Sequence, residues 1–415
     1  MYEFRATESG FDPMKPLLLS HFTATSCAGR GLDAMLGALR FQRGGLTPCN
    51  FERADLATWI GAVDGVDSVQ MRPDLAKFNC RNNRLAQLGL EQDRFAEHVH
   101  AAIARYGADR VGVFIGTSTA GILETEQAYG RRDPETGALP ADFRYEHTHN
   151  PYSSAAFVRR YFALLGPAMV VSSACSSGAK VFGSARRAID AGLIDAAIVG
   201  GVDSLCLTTL YGFNSLELLS PEPCRPFDTA RNGISIGEAA AFAFVERMPG
   251  NQTLADDAIL FFGIGESSDA HHMSSPHPEG LGARMAIEQA LASAGLAADD
   301  IDYINLHGTA TPSNDSAESR AIRGLFEQTP CSSTKGATGH TLGASGALEA
   351  VVSAIALRHR LIPAGINTTQ PDPDLVLDYV LTSRDAPVQL VLSNSFGFGG
   401  TNCSLILGRA ERFRS

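Results

Sequence analysis

Residues 169–180 read MVVSSACSSGAK. A Val-rich apolar run enters a stretch of small residues with one cysteine, Cys175, at its centre. AMVVSS at 168–173, preceded by Gly-Pro, has the length and composition of a short buried strand. Beyond Ser-Ser-Gly, Ala179, Phe182 and Ile189 recur near helical spacing, and Gly192 reads as the C-terminal stop. Cys175 is therefore expected at a strand-to-helix junction, in the first turn of the helix. Unpaired N–H groups and the positive dipole end favour an anion there. Such an environment lowers a thiol pKa and makes a thiolate nucleophile. A cysteine taken singly is most often a small buried hydrophobe. The small neighbours, which let a substrate carbonyl approach the backbone, set this one apart.

Outward from this junction, apolar runs alternate with helical patterns. Strands are expected at 15–20, 110–116, 168–173, 195–201 and 239–246, and a second set at 258–265, 302–308, 388–395 and 402–408. Helices are expected at 282–294 and 346–360. Strands alternating with helices predict α/β layers with largely parallel sheets. MPGNQTLADD at 248–257 is the strongest internal boundary. It divides the chain into halves 15–250 and 251–415, with 1–14 read as an extension or expression remnant. The strand–polar turn–helix scheme of VVSSACSSGAK returns in CSSTKGATGHTLGASGALEA, which hints at a duplicated unit.

The 415 residues hold 44% hydrophobic and 19% charged side chains, a globular balance with ample core. A net charge of −11 argues against non-specific nucleic-acid binding. No apolar run is long enough for a membrane span, and the N-terminus does not read as a signal peptide. Eight cysteines lie scattered without CxxC or Cys/His spacing, which predicts a reducing, cytoplasmic setting and no metal site.

The second half carries the other chemical groups. NLHGTATPSND places His307 just after a strand. STKGATGH places Lys335 and His340 in a Gly-rich turn before a helix, and SNSFGFGGTN sets Phe398 between glycines at a strand end. A single loop histidine is most often a surface or satisfied core residue. Two beside glycines at strand ends, with a candidate thiol at a third, suggest a site, since ligands of open α/β sheets gather at carboxyl ends of strands. The GFGG turn is no phosphate loop, because no Lys-Ser/Thr follows it.

Together, SACSSG, HGTATPSND, STKGATGH and NSFGFGGTN resemble the elongating β-ketoacyl-acyl-carrier-protein synthases, over about residues 15–409. The resemblance implies a thiolase-like fold: duplicated βαβαβαββ halves in a five-layered α-β-α-β-α core, usually dimeric. It implies a decarboxylative Claisen condensation. Cys175 would hold the acyl chain, the N–H groups of Cys175 and Phe398 would form the oxyanion hole, and His307 and His340 would bind the malonyl thioester carbonyl. The chain lengthens by two carbons. No cofactor of its own is implied, since phosphopantetheine arrives on the carrier protein, met by Thr309 and Thr311. Lys335 is expected to pair with Glu318, with Glu349 as a second structural acid. Phe398 and Phe213 match gating residues, and Asp269 and His272 match a second mobile loop. The plain alternative for the phenylalanines is core packing.

Departures from the family pattern carry information. HFTATSCAGRG stands for the usual early Gly-rich segment and RNNRLAQLG for a Met-Asp-aromatic stretch. Thr119 in IGTSTAG replaces a bulky Ile at the tunnel end. These changes favour a polyketide or polyene pathway, such as an aryl polyene, over housekeeping fatty-acid elongation. A homodimer, or a heterodimer with a chain-length-factor-type subunit, belongs to that reading. A non-catalytic chain-length factor is the rival, and it typically lacks the nucleophile. A degradative thiolase would need a second C-terminal cysteine; Cys403 lies in the wrong context. The starter-unit synthases carry Asn where His340 stands. An acidic carrier protein requires a local basic patch on an acidic chain. Lys77, Arg81, Arg84, Arg131 and Arg132 are the candidates, with a solvated charge run as the plain alternative.

Overall fold

The computed structural model describes residues 13–248 and 254–414. Most of the expected N-terminal extension, and 249–253 of the expected boundary, lie outside the described residues.

The main strands of the first half are Leu17–Ser26, Val111–Gly116, Ala168–Val171, Ala196–Asp203 and Ala239–Arg247. Those of the second are Ile259–Ser268, Tyr303–Asn305, Cys331–Ser332, Leu390–Gly397 and Thr401–Arg409. Each half has the same spatial order: first, last, fourth, second, third. In each, the first strand runs antiparallel to the last, and the last antiparallel to the fourth. The fourth runs parallel to the second, and the second parallel to the third. The duplication that the residues only hinted at is therefore complete in topology. The halves meet where Leu17–Leu19 pairs antiparallel with Ile259–Phe261.

Parallel neighbours need crossover connections, and helices supply them. The equivalent crossovers are Ser177–Asp190 in the first half and Ser345–His359 in the second. They pack against each other between the two sheets, with Val181, Phe182, Leu348 and Val351 in one core with Ala243 and Leu405. Residues 345–357 are buried on every side, which explains why GALEAVVSAIAL shows no polar face. Close packing of the two helices requires glycine. A Cβ on Gly178 would stand 2.7 Å from Ala347 N, and one on Gly346 2.5 Å from Ala179 N.

The outer faces are covered separately. Leu85, Phe95 and Phe157, from helices Arg81–Leu90, Phe95–Tyr106 and Tyr152–Tyr161, pack on Phe242 and its neighbours. Ile287 and Ile322, from helices Leu281–Ala294 and Pro312–Arg323, pack on Leu392 and Ile406. Helix, sheet, helix, sheet and helix give the five layers of a thiolase-like α/β fold.

Expected strands match in position, but the sheet is mixed and not largely parallel, because the first and last strands of each half pair antiparallel, and one strand differs in environment. Ala168–Val171 is not buried. It is the edge strand of its half, with Met169 47% exposed. Val-rich composition alone does not separate a central strand from an edge awaiting a neighbour. Among the described residues, no helix is long and apolar enough to cross a membrane.

Candidate active site

The site lies where both central helices begin. Cys175 stands in the turn ahead of helix Ser177–Asp190, not in its first turn as the sequence suggested. Ala174 adopts a left-handed φ of 51°, and the Ser177 hydroxyl bridges the turn by donating to Ala174 O at 2.5 Å. The sharp turn lifts the thiol out of the strand direction and toward the second half.

There Cys175 meets His340, whose Nε2 lies 3.1 Å from the sulfur. His340 Nδ1 accepts the backbone N–H of Leu342 at 3.3 Å. A backbone amide can only donate, so the ring proton sits on Nε2 and points at sulfur. His307 is fixed alike. The Lys335 ammonium donates to His307 Nδ1 at 3.4 Å and to His307 O at 2.5 Å, leaving the Nε2 proton free. The imidazoles meet edge to face with centroids 5.4 Å apart. Burial, then the charge of Lys335, holds both pKa values well below the usual imidazole range, so both rings are neutral.

The thiol goes the other way. Burial pushes Cys175 up to about 11, against lowering by Lys335 and by the Phe398 N–H that donates to the sulfur. This corrects the expected lowered pKa: 5% exposure outweighs the helix end. Gly397 makes the approach of Phe398 possible, because a Cβ there would stand 3.2 Å from Cys175 N.

Lys335 does not pair with Glu318. Its carboxylate partner is Glu349, one turn inside the central helix. Glu318 instead accepts the N–H groups of His307 and Gly308, each at 2.8 Å, and the amide of Asn394 at 3.1 Å. Burial raises the Glu318 pKa to about 7. Either acid was within reach by sequence; Lys335 points toward the helix, and Glu318 faces the back of the His307 loop.

A pocket leads to the thiol, lined by Cys175, His307, His340, Thr309, Thr311, Phe213, Phe396, Phe398 and Asp269 among others. The Thr309 and Thr311 hydroxyls bond each other at 2.9 Å. Phe213 and Phe398 touch, with ring centroids 5.5 Å apart. Asp269 accepts from Asn402 Nδ2 at 2.8 Å and from His277 N at 3.0 Å. Its loop is tied to the Phe398 turn by Asp269 N to Gly400 O and Gly399 N to Met273 O, both 2.8 Å.

Other candidates stand apart. His272 is exposed, bonded only locally to Ser274, and absent from the pocket wall. Thr119 is buried, and its hydroxyl donates to Asp203 at 2.9 Å instead of facing the pocket. Arg81 is 5% exposed, forked onto Glu238 at 2.6 and 2.9 Å and bonded to Asp67 at 2.7 Å, so it is no surface cation. Arg84 is largely buried against Asn79 and Asp67. Lys77, Arg131 and Arg132 are exposed, Arg131 pairing with Asp142. Cys403 is fully buried in a central strand, outside the pocket wall. Sequence reasoning missed Leu342, Phe396, Asn402 and Asp203; a lone acid closing the apolar strand Ala196–Asp203 was the available signal.

A buried thiol and two neutral imidazoles, gathered between duplicated halves of one five-layered fold, fit a condensing enzyme of the thiolase fold. Comparison with known proteins narrows the class. Models of the β-ketoacyl synthase N-terminal and C-terminal domains match residues 57–250 and 260–369. The 3-oxoacyl-[acyl-carrier-protein] synthase 2 of Coxiella burnetii is 34% identical, over 95% of this chain and 98% of that one. Its Staphylococcus aureus counterpart is 30% identical, over 85% and 94%. A ketosynthase solved in complex with its chain length factor, from Xenorhabdus doucetiae, is 39% identical with TM-score 0.85, over 95% and 98%. The ishigamide ketosynthase/chain length factor is 29% identical with TM-score 0.82, over 95% and 99%. The chain belongs to the β-ketoacyl synthase family, acyltransferases that carry out decarboxylative Claisen condensation.

Proposed function

We propose that Cys175 takes an acyl chain from a carrier-protein thioester and that His307 and His340 activate malonyl carrier protein to extend it by two carbons. One observation carries the reading: two buried neutral imidazoles, each with Nδ1 occupied, line the pocket at Cys175, and His340 directs its Nε2 proton at the sulfur. Attack by sulfur forms the Cys175 thioester, and the thiol proton leaves with the departing pantetheine thiol. The N–H groups of Cys175 and Phe398 stabilise the oxyanion, each by about 3 kcal/mol. The malonyl thioester carbonyl then accepts both Nε2 protons in hydrogen bonds, so that loss of CO2 leaves a stabilised enolate. Its carbon attacks the Cys175 acyl group, and the thiolate is released for the next cycle. Lys335 and Glu349 hold His307, and Thr309 and Thr311 line the path of the pantetheine arm, which the carrier supplies.

The partner is an acyl carrier protein docking on Lys77, Arg131 and Arg132. A second thiolase-like subunit, either another copy or a chain-length-factor type, covers the edge strand. The 39% identity to a ketosynthase solved with its chain length factor supports a pathway-specific synthase, which we read as polyketide or polyene, of aryl polyene kind. Housekeeping fatty-acid elongation is the second reading, supported by the relatives named synthase 2. Thr119 would wall the acyl channel only through its methyl, since its hydroxyl is held by Asp203. Eight free cysteines fit a cytoplasmic setting.

The test uses three variants. Cys175→Ala should lose condensation while retaining malonyl decarboxylation. His307→Ala and His340→Ala should still accept an acyl group but lose condensation by several orders of magnitude. Elongation by Cys175→Ala at near wild-type rate would overturn the mechanism. The acyl group trapped on Cys175 in the producing cell, read by intact mass, decides between the pathways.

A further inference from the structure

Asp203 closes the strand Ala196–Asp203 and is fully buried. Its Oδ1 accepts the Thr117 hydroxyl at 2.7 Å, Ser118 N at 2.8 Å, and Thr119 N and hydroxyl each at 2.9 Å. Its Oδ2 accepts Gly343 N at 2.5 Å, and Ser118 N more weakly at 3.1 Å. Every neighbour is a neutral donor, so the group suits an ionised, acceptor-only carboxylate.

The Gly343 bond crosses from one half to the other and falls in the turn Leu342–Ala344. Leu342, the preceding residue, holds a left-handed φ of 52°, which L side chains adopt reluctantly. The Leu342 N–H, at the entry to this turn, donates to His340 Nδ1. A turn held against its own preference needs an anchor, and the Gly343 contact leaves no slack. A Cβ on Gly343 would stand 2.8 Å from both Asp203 Oδ2 and Ser118 Oγ.

We propose that Asp203 is a positioning residue for His340: through Gly343 it holds the turn that keeps the Leu342 N–H on Nδ1 and so fixes the Nε2–H tautomer. The inference rests on the reading of His340 as a hydrogen-bond donor to the malonyl thioester. Full-length protein labelled with ¹⁵N-histidine reports the tautomer by NMR, with His340→Ala assigning the signal. Wild type should show Nδ1 unprotonated; a protonated Nδ1 there would overturn the proposal outright. In Asp203→Asn the signal should move toward a mixture of tautomers, and malonyl decarboxylation should fall about 100-fold. Gly343→Ala disturbs the same contact from the other side and should do likewise if Asp203→Asn fails to fold. A folded variant of either kind with wild-type signal and rate would overturn the role of Asp203. Wild-type decarboxylation by His340→Ala would instead overturn the underlying reading of His340.

Discussion

Cys175 and His340 share one hydrogen bond, and burial governs the pH behaviour of the thiol. His340 donates from Nε2, so in its resting tautomer it cannot also receive the thiol proton there. Burial keeps the thiol up at about 11, so near neutrality only a small fraction is thiolate. Inactivation by iodoacetamide should therefore rise about tenfold per pH unit through the alkaline range, with no plateau near neutrality. A plateau near pH 7 would mean that the helix end holds a preformed thiolate. Cys175 should still react ahead of Cys27 and Cys206, which burial pushes to about 12. Cys175, His307, His340 and Phe398 stood out in the sequence because each lies among small residues, with Cys175, His307 and Phe398 just past a strand. Arg81 was not: KFNCRNNR looks like a solvated run, and Glu238, which buries the guanidinium, lies 157 positions away. The choice between Glu318 and Glu349 for Lys335 depends on side-chain direction, which sequence spacing does not carry.

The strand Leu390–Gly397 turns through Phe398, Gly399 and Gly400 into Thr401–Arg409, and this hairpin brings the Phe398 N–H, the proposed second oxyanion donor, to Cys175. Gly399 and Gly400 take φ of 78° and 72°, left-handed values suited to glycine. Gly397 is confined on the nucleophile side: an added Cβ would stand 3.0 Å from Thr401 O and 3.1 Å from Ser173 O. Gly397→Ala should push the hairpin off the nucleophile turn. Single-turnover acylation of Cys175 should fall about 100-fold, the effect of losing one oxyanion donor. Malonyl decarboxylation, which uses the imidazole donors, should change far less; equal losses would show a general collapse of the site. At this scale the sequence was clear wherever a strand was apolar and uniform. It overran at Tyr303–Asn305, expected over 302–308, and was silent at Cys331–Ser332, a two-residue strand whose identity comes from its neighbours and not from its own pattern.

Across the whole molecule, the edge strand Ala168–Val171 is the main unfinished feature. Among the described residues no strand lies beside its outer edge, and Met169 and Leu165 are 47% and 70% exposed. A second thiolase-like subunit would continue the sheet across this edge. Met169→Arg should therefore shift sedimentation toward monomer; an unchanged sedimentation coefficient would place the interface elsewhere. The duplicated strand order has a different consequence. One proposed oxyanion donor belongs to the first half and the other to the second, and the thiol and its imidazoles are divided in the same way. A slip between halves too small to let water into the core still separates these atoms. Catalysis is thus a finer gauge of alignment than any optical signal. In a urea titration, turnover should vanish while the fluorescence of the single tryptophan, Trp59, still reports a folded chain. The enzyme would lose its function by misalignment before it loses its structure.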